Sequence, residues 1–199
     1  PEDEAVFYAV TDAGVFKSLD LGPQRYGEVW VPVAERIPTL GNATYAVVPG
    51  PQPTCYATTR SELFIKAPDE EWRLGGAVPF AGEGLEWVRG DPGKPDTVYV
   101  RCRLLYHGPP YHILWKTEDG GANWTGIIGD GLAEMATRHL NKEVFGEGLE
   151  GSINDLLVCS NGVLLAATSL GLFRSDDGGR SWGECHDGLH ITSASGIFR

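Results

Sequence analysis

Positive charge is scarce in this chain. Its 199 residues carry 16 Lys and Arg against 27 Asp and Glu, a formal net charge of −11. That balance argues against a nucleic-acid backbone as the main partner, because phosphate binding is driven by Lys and Arg. No apolar run approaches the roughly 18 residues of a membrane-spanning helix, so no spanning segment is expected. Cysteine is sparse: Cys55, Cys102, Cys159 and Cys185. None stands in a CxxC or CxxCH pair, which argues against a zinc knuckle or an attached haem. The first three sit in apolar, strand-like runs and read as small buried hydrophobes. There is no HExxH spacing, nucleophile elbow, P-loop or dinucleotide fingerprint. No metal or organic cofactor is expected. Helical periodicity is confined to one stretch, where Leu132, Met135, Ala136 and Leu140 fall at helical spacing.

What the chain has is turn chemistry. Gly 27 and Pro 13 suit a turn-rich, all-β chain, and a hydrophobic content of 42% is enough for a core. The length suggests one domain or a piece of a larger one. Short alternating runs recur: Ala5 to Val10, Ala43 to Val48, Thr54 to Thr58, Glu62 to Lys66, Leu85 to Arg89, Thr97 to Arg103 and Ile153 to Val158. Such runs, punctuated by tight turns, are strand and hairpin signals.

Two turns share one pattern. They are Thr117-Glu118-Asp119-Gly120-Gly121-Ala122-Asn123-Trp124 and Ser175-Asp176-Asp177-Gly178-Gly179-Arg180-Ser181-Trp182. Asp119 and Asp177 can accept hydrogen bonds from backbone N–H groups of their own turns. Gly121 and Gly179 permit the positive φ of a chain reversal. Trp124 and Trp182 start the return strand and present a large apolar face. Thr117 and Ser175 open the two turns. These acids are therefore read as structural rather than catalytic. Decayed versions stand at Ser18 to Gly22, with its tryptophan displaced to Trp30, and at Ala67 to Trp72.

The pattern resembles the Asp-box, or BNR, repeat of sialidase-like, xyloglucanase-like and sortilin-like β-propellers. The resemblance covers nearly the whole chain as repeats, with two turns intact. It implies an all-β propeller of four-stranded antiparallel blades. Trp30, Trp72, Trp124 and Trp182 mark about four units, at 1–42, 43–84, 85–150 and 151–199. Their spacing of about 40–60 residues suits one blade. The first unit lacks its innermost strand. The tail Ile191 to Arg199 resembles Ala167 to Arg174, and is read either as closing the ring on the first unit or as opening a further blade. An unclosed arc would expose strand edges, so self-association is a candidate property.

Alternation sorts the loops onto two faces. The box turns share one. The resemblance places glycosidase active sites on the other, which carries two long segments, Leu104 to His112 and Gly129 to Gly151. Long loops on a rigid scaffold often carry function. The binding candidates there are Tyr106, His107, Tyr111, His112, Arg138 and His139. A sialidase would need an arginine cluster, for which Arg36, Arg60 and Arg138 are candidates. A glycoside hydrolase needs two carboxylates across a cleft, and Asp12, Glu35, Glu62, Glu83, Glu134 and Glu147 are candidates by face. None sits in a motif that singles it out. The leading expectation is a non-catalytic propeller that binds a protein or glycan, as a scaffold within an assembly. The alternative is a glycoside hydrolase, xyloglucanase-like or sialidase-like, or a fragment of one. The resemblance implies an extracellular or periplasmic location.

Overall fold

The computed structural model describes residues 7–18, 29–37, 43–49, 53–59, 61–77, 85–102, 114–127, 153–168, 171–185, 187–188 and 194–197. The Leu132–Leu140 helical pattern lies outside them. The described residues form strands and turns only. The first sheet holds β1 (Tyr8–Thr11), β2 (Gly14–Ser18) and β3 (Trp30–Glu35). The second holds β4 (Thr44–Val48), β5 (Thr54–Thr58), β6 (Glu62–Lys66) and β7 (Arg73–Ala77). The third holds β8 (Leu85–Asp91), β9 (Lys94–Cys102), β10 (Leu114–Thr117) and β11 (Thr125–Gly126). The fourth holds β12 (Ile153–Val158), β13 (Leu164–Thr168), β14 (Gly171–Ser175) and β15 (Gly183–Glu184). In every sheet the strands lie in chain order and pair antiparallel.

The sheets follow one another through their first strands: β1 packs on β4, β4 on β8, and β8 on β12. The architecture is all-β and fits a partial β-propeller. Strand alternation supplies its cores. Along β5, Cys55 and Ala57 face the first sheet while Tyr56 faces the third. Along β9, Val98 and Val100 turn back to the second sheet while Tyr99 joins the fourth. Each inner strand thus serves two neighbours, the arrangement a period of two residues provides. The cores bury Tyr56, Leu63 and Ile65 in one gap and Leu114, Ile153, Leu156 and Leu164 in the next. The Tyr56 hydroxyl donates to the Pro95 carbonyl at 2.8 Å, satisfying its polar end.

Two local readings change. Between the runs Leu85 to Arg89 and Thr97 to Arg103 the turn is only Pro92 and Gly93, and the strands extend to meet it on both sides. The Asp91 carboxylate accepts the Gly93 N–H at 2.8 Å and tightens the reversal. Of the cysteines read as buried, Cys55 is, and burial pushes its thiol up to about 11. Cys159, just past the end of β12, is half-buried.

Candidate functional site

The two tryptophan-ended turns hold themselves by the same bonds. The Thr117 hydroxyl donates to Asp119 at 2.8 Å and accepts from the Gly121 N–H at 2.8 Å. Asp119 accepts from the Asn123 backbone at 2.9 Å and side chain at 2.8 Å. In the second turn, Ser175 donates to Asp177 at 2.8 Å and accepts from Gly179 at 2.8 Å. Asp177 accepts from the Arg180 and Ser181 backbones and from the Ser181 hydroxyl. Gly121 and Gly179 stand at φ 100° and 96°, where a side chain would be strained.

These bonds favour the ionised acids. The Asn123 N–H groups, then Thr117, lower Asp119 to about 2, and the Ser181 hydroxyl leads in lowering Asp177 further. An unfolded Asp titrates near ~3.9. The turns therefore contribute fully above about pH 4 and lose that contribution as pH falls through the folded values. Thermal unfolding between about pH 5 and 2 should show a falling midpoint. Asp119→Asn with Asp177→Asn should flatten that fall. An unchanged pH slope would refute the assignment.

The tryptophans couple one sheet to the one before it. The Trp72 indole N–H donates to the Glu35 carbonyl at 3.0 Å, at the end of β3. Trp124 donates to Ala77 at 3.0 Å, at the end of β7. Trp182 donates to Ile127 at 3.1 Å, just past β11. Trp124 and Trp182 also lie within bonding reach of their own turns' Gly121 and Gly179 carbonyls.

The long segments 104–112 and 129–151, assigned by the sequence to the opposite face, lie outside the described residues. Tyr106, His107, Tyr111, His112, Arg138 and His139 all fall outside the described residues, as do Arg60, Glu83, Glu134 and Glu147. What the described residues place at that end of the third and fourth sheets is a charged cluster. Glu86 and Trp87 open β8, Arg101 lies near the end of β9, and Asn154 and Asp155 open β12. Register irregularities fall between Leu85 and Trp87 and between Ile153 and Asp155. Bulges of this kind re-aim side chains at strand ends.

Arg89 holds Asp155 through Nη2 at 2.7 Å and Nε at 3.2 Å, bridging the two sheets. Its guanidinium lies 5.3 Å from the Trp87 ring centroid, within cation–π range. Arg101 pairs with Glu86. Asp155 also accepts the Leu156 N–H at 2.8 Å and the Ile197 N–H at 3.4 Å. Asn154 donates to the Ala194 carbonyl, and the Ala194 N–H to Thr168, each at 2.7 Å. The 194–197 segment is thus tied to the fourth sheet. The Trp87 indole N–H, in a side chain only 7% exposed, has no hydrogen-bond partner among the described residues. Sequence reasoning passed over this cluster. Its signal was charge inside strands that otherwise read as apolar.

Asp155→Ala should cost about 1–2 kcal/mol in urea unfolding, at the lower end because Arg89 is partly solvated. Asp155→Asn, which keeps an acceptor, should recover part of the loss. Equal stability of all three proteins would remove the cluster from any structural role.

No family model matches the chain, and no curated protein matches it. Among solved structures, an ancestral GH74 enzyme superposes with a TM-score of 0.50 at 16% identity. The match covers 90% of this chain and 22% of that one. GH74 enzymes are β-propeller glycoside hydrolases. The likeness is one of fold. In this chain, successive antiparallel sheets, each packed on the last through its first strand, fit a partial β-propeller.

Proposed function

We propose that this chain is a non-catalytic propeller scaffold, a subunit of a larger assembly, that binds a protein or a glycan through the face opposite its two tryptophan-ended turns. The turns belong on this reading to the Asp-box type. The supporting observation is how the acids are used. Asp119 and Asp177 are bound to their own turns, Asp155 to Arg89, and Glu86 to Arg101. Among the described residues, the carboxylates with displaced pKa values are Glu118, Asp119, Asp176 and Asp177, and all are displaced downward. A general acid needs the opposite displacement. Contacts are assigned to Tyr106, His107, Tyr111, His112, Arg138 and His139. The site of action is extracellular or periplasmic, as the resemblance implies.

The second reading is a glycoside hydrolase of which this chain is a part, favoured by the likeness to the GH74 enzyme. A polysaccharide hydrolysis screen run beside a glycan-binding array separates the two. The scaffold reading expects retention without turnover. Turnover abolished by Glu35→Gln or Glu62→Gln would establish the hydrolase instead.

A further inference from the structure

The turn between β12 and β13 holds an asparagine followed by a glycine, Asn161-Gly162. Its frame is made of backbone bonds. The Cys159 N–H donates to the Val163 carbonyl and the Gly162 N–H to the Cys159 carbonyl, each at 2.9 Å. Gly162 stands at φ 84°, the left-handed conformation that such a reversal asks of its glycine. Both residues are exposed. The Asn161 side-chain carbonyl reaches forward along the chain and accepts the Val163 N–H at 3.2 Å. A side-chain turn of this kind folds the carboxamide over the peptide link that follows it.

That fold brings together two groups that can react. The Asn161 Cγ is an electrophile, and the Gly162 nitrogen is the neighbouring nucleophile that closes a small ring with it. Nothing lies within 4 Å of the point where a side chain on Gly162 would begin, so the ring meets no crowding there. The Val163 N–H, already on the carboxamide oxygen, opposes the negative charge that gathers on that oxygen as the ring closes. The bond from the Gly162 N–H to Cys159 must first open, so opening of the turn sets the pace. The other described asparagines are held differently. Asn123 and Asn154 donate their amide nitrogens, to Asp119 at 2.8 Å and to the Ala194 carbonyl at 2.7 Å. That nitrogen is the leaving group of the ring closure, and Trp124 and Asp155, not glycine, follow them.

We propose that Asn161 is a site of spontaneous modification, converted to aspartate and isoaspartate through a succinimide. The Gly162 nitrogen bonds to the Asn161 Cγ and gives up its proton. The Cγ–Nδ2 bond breaks, and the amide nitrogen leaves with that proton as ammonia. Water then opens the ring. Addition at Cγ gives aspartate with the backbone unchanged. Addition at the backbone carbonyl carbon gives isoaspartate, whose main chain runs through the side-chain methylene. Either product takes up a water, releases an ammonia and adds a negative charge. Leu164 pairs with both Val158 and Ser175, so the new charge appears at the same end of the fourth sheet as its tryptophan-ended turn. Isoaspartate also lengthens a turn that lies beside the third sheet, where a Cβ on Gly93 would stand 3.6 Å from the Ser160 carbonyl.

Incubation of the folded chain in mild alkali at body temperature for several days tests this, read by isoelectric focusing and tandem mass spectrometry of its peptides. The expected product is a more acidic form, about 1 Da heavier, with the change at Asn161 as aspartate and isoaspartate. Asn161→Gln, which would have to close a larger ring, should cut formation of that form roughly tenfold or more while leaving circular dichroism unchanged. Absence of the acidic form overturns the proposal, as does conversion that reaches Asn123 or Asn154 first. An acidic form undiminished by Asn161→Gln overturns it as well. Glycan retention and hydrolysis do not enter this measurement, so failure here is separable from failure of the scaffold reading.

Discussion

Trp182→Ala is expected to lower the stability of the chain by about 3–5 kcal/mol, the range for truncating a buried tryptophan. The side chain is nearly enclosed and belongs to the core between the third and fourth sheets, with Ile127, Leu114 and Phe173. Its N–H also spans to the Ile127 carbonyl. Truncation therefore opens a cavity and leaves a buried acceptor short of its donor. Trp182→Phe should cost less, because it keeps most of the apolar volume. Chemical denaturation with tryptophan fluorescence and circular dichroism reads both. In arrays whose units contact only their neighbours, losing one boundary uncouples the terminal unit. The alanine variant should therefore unfold in two steps, the fourth sheet first. A single transition at the parent midpoint would mean that the indole does not hold the boundary.

Gly76→Ala should be nearly as damaging, for a reason invisible in its backbone angles. A methyl group at Gly76 would be driven into the Gly121 carbonyl, and one at Gly75 into that of Gly120. The tryptophan-ended turn of the third sheet rests directly on the backbone of β7. Backbone cannot yield as a flexible side chain does, so the sheets must separate. The expected loss is about 2–4 kcal/mol. Gly183→Ala is the control: nothing lies within 4 Å of its added carbon. It should change stability by no more than about 0.5 kcal/mol. Differential scanning calorimetry of the pair decides the matter. Equal midpoints would show that turn and strand do not touch.

These two glycines also show where sequence reading stopped. The inner strands were legible because strands packed on both faces read as short, largely apolar runs bounded by turns. Thr44–Val48 and Ile153–Val158 fall where the pattern places them. The outer strand Arg73–Ala77 was not legible. Leu-Gly-Gly reads as loop, and its extended shape is supported by a neighbouring turn about 45 positions away in the chain. The turn residues announced themselves through fixed offsets between acid, glycine and indole. The Arg89–Asp155 bridge did not, because its ends are 66 positions apart and no local period links them. The loop residues singled out for standing in two long segments lie outside the described residues.

The tryptophans reach across to carbonyl oxygens, and those oxygens belong to a glutamate, an alanine and an isoleucine. Every amino acid brings the same oxygen. The receiving position is therefore free to drift in identity without weakening that bond, whereas the donor must remain an indole. Over many substitutions the donors would stay recognisable while the strands they grip lose all likeness to one another.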